Sequence, residues 1–170
     1  MRGKSLIVAL ALAALIYLVF VRPLLISDEA RIRKGVKEGV EAIEAEDLEK
    51  GLRHVSIHYK DEYGLTYLGV KQLLSKIFQE FDAFEIDLGN LQITLLDKET
   101  ASATFDLKVK VSYKGQKGYL LGSGDFSNRV TMSFVKEGRR WKVTRVEGVE
   151  ARGGWRKMPK VVRRCLNNTV

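Results

Sequence analysis

The sequence predicts an α+β fold in which three helices pack on a curved antiparallel sheet, preceded by one transmembrane helix. Three observations predict it: an uncharged apolar run near the N-terminus, three stretches with helical apolar spacing, and then alternating apolar and polar residues. The 170 residues suffice for one domain with appendages. We therefore divide the chain into an anchor (1–27), a domain (28–150) and a basic tail (151–170).

The N-terminal run from Ser5 to Val21 contains no charged residue and is rich in Leu, Ala, Ile and Val. As a helix it rises about 25 Å, which is close to the thickness of the bilayer core. Arg2 and Lys4 precede the run, so the positive-inside rule keeps the N-terminus in the cytoplasm. This predicts a single-pass protein of the cytoplasmic membrane with its domain on the periplasmic or other extracytoplasmic side. A cleaved signal peptide and secretion is the alternative, although Ser27 and Leu25 form a poor cleavage site.

The net charge of +8 comes from the two ends of the chain. Residues 28–150 contain 20 Lys and Arg and all 21 Asp and Glu, so the predicted domain is nearly neutral. A neutral domain lacks the basic surface that follows a phosphate backbone, which argues against nucleic acid as a partner. The single cysteine, Cys165, leaves the domain to be stabilised by packing rather than by an internal disulfide.

Three helices are predicted first within the domain. Ile32, Val36, Val40 and Ile43 share one helical face, and Asp47 can cap a second, short helix with the apolar face Leu48, Leu52 and Val55. The third helix has the strongest periodicity, with apolar residues recurring at helical spacing from Val70 to Phe81.

The strands follow Phe84, where the apolar spacing changes to alternation. The alternating segments are 91–95, 105–113, 130–134 and about 140–149, and the segments 97–99, 114–118 and 136–139 are predicted hairpin turns. Ile86 and Leu88 are out of phase with Leu91, which predicts a β-bulge at Gly89-Asn90 that bends the sheet.

The element order resembles the nuclear transport factor 2-like (SnoaL-like) superfamily over about residues 28–150. The residues that carry this resemblance are the Glu46-Asp47-Leu48 junction, the Tyr59–Gly64 loop and the closing hairpin Lys136–Val143. The resemblance implies a cone of helices on a strongly curved sheet, with an apolar cavity at the open end. Because that superfamily contains both enzymes and noncatalytic subunits, the fold does not select the function.

The resemblance also implies candidate site residues. In ketosteroid-isomerase-like members a loop aspartate is the general base, and Asp61 is the matching position. The positions of the two oxyanion donors correspond to Val40 and to Val130 or Thr131, which leaves Asp61 as the one match. Asp61 can equally be a turn-forming residue of an exposed loop. The candidates for the cavity wall are His58, Tyr59, Tyr63, Phe78, Phe81 and Trp141.

Two further patterns concern metals and membranes. His54 and His58 are four residues apart, but two ligands without a third are more typical of half-buried histidines, so we expect no metal and no cofactor. The tail can form a short basic amphipathic helix that contacts anionic lipid or an acidic partner. Its candidate contact residues are Trp155, Arg156, Lys157, Lys160, Arg163 and Arg164.

Taken together, these observations favour a noncatalytic membrane-anchored domain that serves protein assembly or binds an apolar small ligand. We expect it to form a homodimer or to join a membrane complex. The alternative is a small isomerase, dehydratase or cyclase with Asp61 as general base.

Overall fold

A computed structural model describes residues 27–149, which form three helices and five strands. The helices are α1 (Asp28–Glu44), α2 (Leu48–Leu52) and α3 (Tyr67–Glu80). The strands are β1 (Ala83–Leu95), β2 (Thr100–Tyr113), β3 (Gln116–Leu121), β4 (Asn128–Glu137) and β5 (Arg140–Glu147). The predicted α+β order of helices before an antiparallel sheet is confirmed.

Each helix begins after a residue whose side-chain oxygen accepts a hydrogen bond from a free backbone N–H of the first turn. Ser27 caps α1, Asp47 caps α2 as predicted, and Thr66 caps α3. In α1, Ile32 and Val36 are buried against the sheet, so the apolar face predicted for this helix does face the core.

The sheet has the strand order β1-β2-β4-β5, and β3 pairs with the far end of β2. The β1–β2 register shifts between Gly89 and Gln92, and Asn90 has a positive φ of 51°. This confirms the bulge predicted at Gly89-Asn90. The bulge bends the long first strand, so the sheet can curve around the helices.

The core lies between the concave face of the sheet and the helices. One buried cluster joins α1 to the sheet through Ile32, Val36, Ala103, Phe134 and Trp141, among others. A second cluster contains Phe81, Phe84, Val109 and Val111. There the rings of Phe81 and Phe84 meet edge to face, with their centroids 6.1 Å apart.

The segment from His54 to Lys60 runs beside β5 and hydrogen-bonds to it. The Val143 N–H donates to the His54 carbonyl at 2.8 Å, and the Ser56 and Lys60 N–H groups donate to the carbonyls of Val143 and Thr144. The second helix was predicted to include Val55, but it ends at Leu52, because the chain turns at Arg53-His54 and then pairs with β5 at Val55. These hydrogen bonds cover the outer edge of β5 at Val143 and Thr144.

No helix within residues 27–149 is long and apolar enough to cross a membrane. The predicted span at residues 5–21 lies outside the described residues, and so does the basic tail at residues 151–170 with all its candidate contact residues.

Candidate functional site

A cavity of about 320 Å³ lies between the helices and the concave face of the sheet. Aliphatic and aromatic side chains make up nearly all of its wall, including Val36, Leu74, Phe78, Phe105 and Met132. Such a wall offers dispersion contacts and few hydrogen bonds, so it suits an apolar molecule.

Glycines widen the cavity on the helix side. Gly35 and Gly39 lie one turn apart in the interior of α1, and both line the wall. A Cβ atom at Gly39 would meet no heavy atom within 4 Å, and one at Gly35 would lie 3.5 Å from His54 Nδ1. A helix-interior glycine costs about 1 kcal/mol relative to alanine. Open space therefore exists at Gly39 at the expense of helix stability.

His54 is the only imidazole on the wall among the described residues. Its Nε2 lies 3.4 Å from a carboxylate oxygen of Glu38 on α1. Burial lowers the pKa of His54 below its usual 6.5, and the Glu38 charge opposes this shift. In the neutral tautomer that donates from Nε2 to Glu38, Nδ1 keeps a free lone pair.

Asp61 is buried, at 8% exposure, and its carboxylate organises the loop before α3. Oδ1 accepts the N–H groups of Tyr63 and Leu65, both at 2.9 Å, and Oδ2 accepts the Tyr59 hydroxyl at 3.1 Å. Asp61 does not line the cavity, whereas Tyr59 does. Burial first, and then the Asp61 charge and hydrogen bond, raise the pKa of Tyr59 well above its usual range. The carboxylate therefore holds a loop and a neutral tyrosine hydroxyl in place.

The sequence profile of the SnoaL-like domain matches residues 53–147, more than half of the chain. The chain belongs to the SnoaL-like domain family. No curated protein matches it in sequence.

Three solved structures from Novosphingobium aromaticivorans are similar to this SnoaL-like domain. A proposed scytalone dehydratase is 16% identical with a TM-score of 0.62, over 71% of this chain and 81% of that one. A proposed aromatic ring hydroxylase is 18% identical with a TM-score of 0.60, over 70% and 85%. An NTF2-like protein with a cystatin-like fold is 17% identical with a TM-score of 0.59, over 86% and 93%. At these identities the likeness establishes the fold and nothing about activity.

Three of the six predicted cavity residues lie at the wall of the SnoaL-like domain: Tyr59, Phe78 and Trp141. The Trp141 ring faces the core, and its Nε1 donates to Asp28 at 3.1 Å. The other three residues do not line the wall. His58 and Tyr63 are exposed because their segment follows the outside of β5 and the loop before α3. Phe81 follows the last residue of α3 and packs in the second core cluster.

The spacing of His54 and His58 does not produce a pair, because the helix has already ended at Leu52. His54 reaches the cavity wall, whereas His58 lies in solvent. Within residues 27–149, no group of three or more His, Cys, Asp and Glu side chains could hold a metal ion.

The cavity residues that sequence reasoning missed include His54 and the glycines Gly35 and Gly39. Two glycines four residues apart inside an otherwise strong amphipathic helix were a usable signal. Such a pair lowers helix propensity without ending the helix, which indicates a packing or functional reason.

Proposed function

We propose that this chain is a membrane-anchored, extracytoplasmic SnoaL-like protein that binds an apolar small molecule in its cavity and has no catalytic role. The observation that carries the proposal is the wall itself, which is almost entirely aliphatic and aromatic over a volume of about 320 Å³. That volume lies at the lower end of the range for small-molecule sites, which is roughly 300 to 1,000 Å³.

The size of the cavity supports a bound occupant. Unfilled apolar space forgoes about 24 cal/mol per Å³, so 320 Å³ corresponds to an upper limit of about 8 kcal/mol. The whole stability of a domain is only about 5–15 kcal/mol. A fold that kept this space without a use for it would forgo a large share of its stability, and a bound apolar molecule would restore much of the lost contact.

The surroundings of Asp61 support a noncatalytic role. A general base must reach the proton that it abstracts, either directly or through one water. Asp61 is instead occupied by two backbone N–H groups and by the Tyr59 hydroxyl, and it lies outside the cavity wall.

The membrane part of the proposal rests on the sequence. The uncharged run at residues 5–21 after Arg2 and Lys4 is typical of an N-in anchor. We propose that the basic tail contacts anionic lipid or an acidic partner, and that the domain works as a homodimer or within a membrane complex. A cleaved signal peptide remains the alternative to the anchor.

Native mass spectrometry of the full-length chain, extracted in mild detergent from its own cell, tests the proposal. We expect an intact mass that includes residues 1–27 and a small-molecule adduct on the chain. An empty cavity with co-purifying protein subunits would instead favour an assembly role. A mass that lacks the N-terminal residues would reject the anchor.

A second candidate function is proton transfer in the same cavity by an isomerase or dehydratase. His54 favours it, because a neutral imidazole beside Glu38 can act as a general base where Asp61 cannot reach. Incubation of the adduct molecule with the protein distinguishes the two functions. A binding protein leaves the molecule chemically unchanged, whereas an enzyme isomerises it or removes water from it. In the second case His54→Gln should abolish the conversion.

A further inference from the structure

The polar groups on the cavity wall indicate which kind of ligand the cavity accepts. Four side chains of the described domain that line this wall carry a nitrogen or oxygen atom: Arg31, His54, Tyr59 and Trp141. Arg31 and Trp141 donate to Asp28, at 3.5 and 3.1 Å, and neither has an acceptor atom. The Tyr59 hydroxyl donates to Asp61 at 3.1 Å. Three of the four groups therefore already direct a hydrogen to a carboxylate of the domain.

The two ring nitrogens of His54 have different surroundings. Nε2 lies 3.4 Å from Oε2 of Glu38, and a carboxylate can only accept, so the proton belongs on Nε2. Nδ1 then keeps its lone pair. Burial lowers the pKa of His54 below 6.5, so the imidazole is neutral at pH 7. Nδ1 is therefore a hydrogen-bond acceptor on a wall that otherwise offers mainly carbon atoms and donors.

A bound molecule can reach Nδ1. Among residues 27–149, no group donates a hydrogen bond to this nitrogen, and no enclosed side-chain nitrogen or oxygen lacks a partner. An unpartnered Nδ1 must therefore be accessible. A Cβ atom at position 35 would touch Nδ1 at 3.5 Å, so the glycine there leaves the nitrogen uncovered on the side of α1. Gly35 and His54 both line the cavity, which places this uncovered acceptor at its wall.

The volume of the cavity sets the size of the ligand. An apolar cavity of about 150 Å³ in another protein holds one benzene molecule, which has six non-hydrogen atoms. On that scale about 320 Å³ holds about 12–13 non-hydrogen atoms. A hydroxyl group that enters an apolar cavity loses its hydrogen bonds to water, and it binds without penalty only where a protein group replaces them. The wall offers such a group at Nδ1.

We propose that the cavity selects an apolar alcohol or phenol of about 12 non-hydrogen atoms, whose hydroxyl donates a hydrogen bond to His54 Nδ1. The remaining atoms of the ligand contact the aliphatic and aromatic wall. This inference rests on the ligand binding of the proposed function and adds the chemical class of the ligand. It makes His54 the residue that determines specificity. Ethers and ketones of the same size are disfavoured, because they would bring a second acceptor to Nδ1.

Binding of three naphthalenes of matched size to the full-length chain tests the inference. 2-Naphthol donates through its hydroxyl, 2-methoxynaphthalene only accepts, and 2-methylnaphthalene does neither. Isothermal titration calorimetry measures the three Kd values for the wild type and for each variant, after removal of the adduct and in one detergent. The compared quantity is the ratio of the 2-methylnaphthalene Kd to the 2-naphthol Kd. Partition of the probes into detergent is the same for every variant, so it cancels when these ratios are compared.

We expect this ratio to be about three- to tenfold larger in the wild type than in His54→Leu, which is the effect of one hydrogen bond. His54→Asn should recover part of the difference, because its amide oxygen is an acceptor close to the position of Nδ1. The matched control is His58→Leu, which should leave the ratio at the wild-type value, since His58 is exposed and is not on the wall. His54 should give 2-methoxynaphthalene no such advantage.

Nuclear magnetic resonance of the imidazole nitrogens gives a second readout, which needs no substitution of His54. The chain has two histidines, so the His58→Leu variant leaves the His54 signals alone in the spectrum. Nε2 should carry the proton, and 2-naphthol but not 2-methylnaphthalene should shift the Nδ1 resonance. A proton on Nδ1 in the free chain, or no shift on binding of 2-naphthol, would overturn the inference.

The outcomes separate this inference from the proposed function. If all three probes bind but the ratio is the same in the wild type and in His54→Leu, selection of the hydroxyl is wrong and binding of apolar ligands stands. If none of the probes binds, both are wrong. If Tyr59→Phe, rather than His54→Leu, lowers the ratio, the hydroxyl contacts Tyr59 and the assignment to His54 is overturned.

Discussion

Substitutions at Gly39 test directly whether the cavity is open space that a ligand uses. Gly39→Ala places a methyl group where no heavy atom lies within 4 Å, in the interior of α1. The gain in helix propensity is about 0.8–1 kcal/mol. For a domain of roughly 120 residues, an unfolding entropy of about 2.1 cal/mol/K per residue converts this gain into a Tm increase of about 3–4 °C.

Gly39→Leu extends the same substitution into the cavity. If the space is open, burial of the leucine side chain adds about 1.5–3 kcal/mol to the helix gain, so the chain stripped of its adduct should not lose stability. The ligand, in contrast, loses the volume that the leucine fills. Native mass spectrometry should show the adduct on the wild type and on Gly39→Ala, and its loss from Gly39→Leu.

Lys37→Leu provides the control, because Lys37 is exposed on α1 and is absent from the cavity wall. This variant should retain the adduct. A fall in the Tm of stripped Gly39→Leu, measured by calorimetry, would show that the space is not available. Retention of the adduct by Gly39→Leu at the wild-type level would show that the ligand lies elsewhere.

Three further predictions concern Asp61, His54 and two glycines. Asp61→Ala leaves two N–H groups and a hydroxyl without an acceptor and should cost about 2–4 kcal/mol, whereas Asp61→Asn keeps an acceptor and should cost less than about 1 kcal/mol. Urea unfolding measures both, and equal losses would contradict the hydrogen-bond account. Because burial lowers the pKa of His54 below 6.5, the unfolded chain binds the proton first as the pH falls. The free energy of unfolding should therefore be insensitive to His54 above about pH 7 and should decrease as the pH falls below 6.5. His54→Gln should flatten that part of the pH profile, and an unaltered slope would refute the assignment. Gly148 and Gly115 both have positive φ, at 78° and 76°, but a Cβ at Gly148 would overlap the Arg129 carbonyl oxygen while one at Gly115 meets nothing. Gly115→Ala should cost about 1–2 kcal/mol and Gly148→Ala at least about 2 kcal/mol more in thermal melts, and similar costs would argue against the close approach.

The parts of the fold that the sequence predicted are those set by local chemistry. The Asp47 cap, the inward face of α1 and the bulge at Gly89-Asn90 each depend on a few neighbouring residues, and each is present in the structure. Strand β3 was missed because Lys114–Gly118 was interpreted as a turn alone, whereas the chain turns at Lys114-Gly115 and pairs again from Gln116.

The cavity wall was only partly predictable, because tertiary hydrogen bonds decide where side chains after α2 point. Helical spacing would have kept His54 and His58 on one face, but the chain turns at Arg53-His54, pairs with Val143 and turns again at Ile57-His58. The turn at Ile57-His58, in which the Tyr59 N–H donates to the Ser56 carbonyl at 3.1 Å, leaves those two side chains exposed and returns Tyr59 to the cavity wall. No local pattern in the sequence predicts the pairing of this segment with Val143.

The segment from His54 to Lys60 affects how two copies of the protein could associate. An open strand edge lets another chain pair with it and continue the sheet. Here the backbone groups of Val143 and Thr144 are already bonded to the protein's own loop. A second copy therefore cannot extend the sheet at these residues of β5 unless the protein's own loop is first displaced.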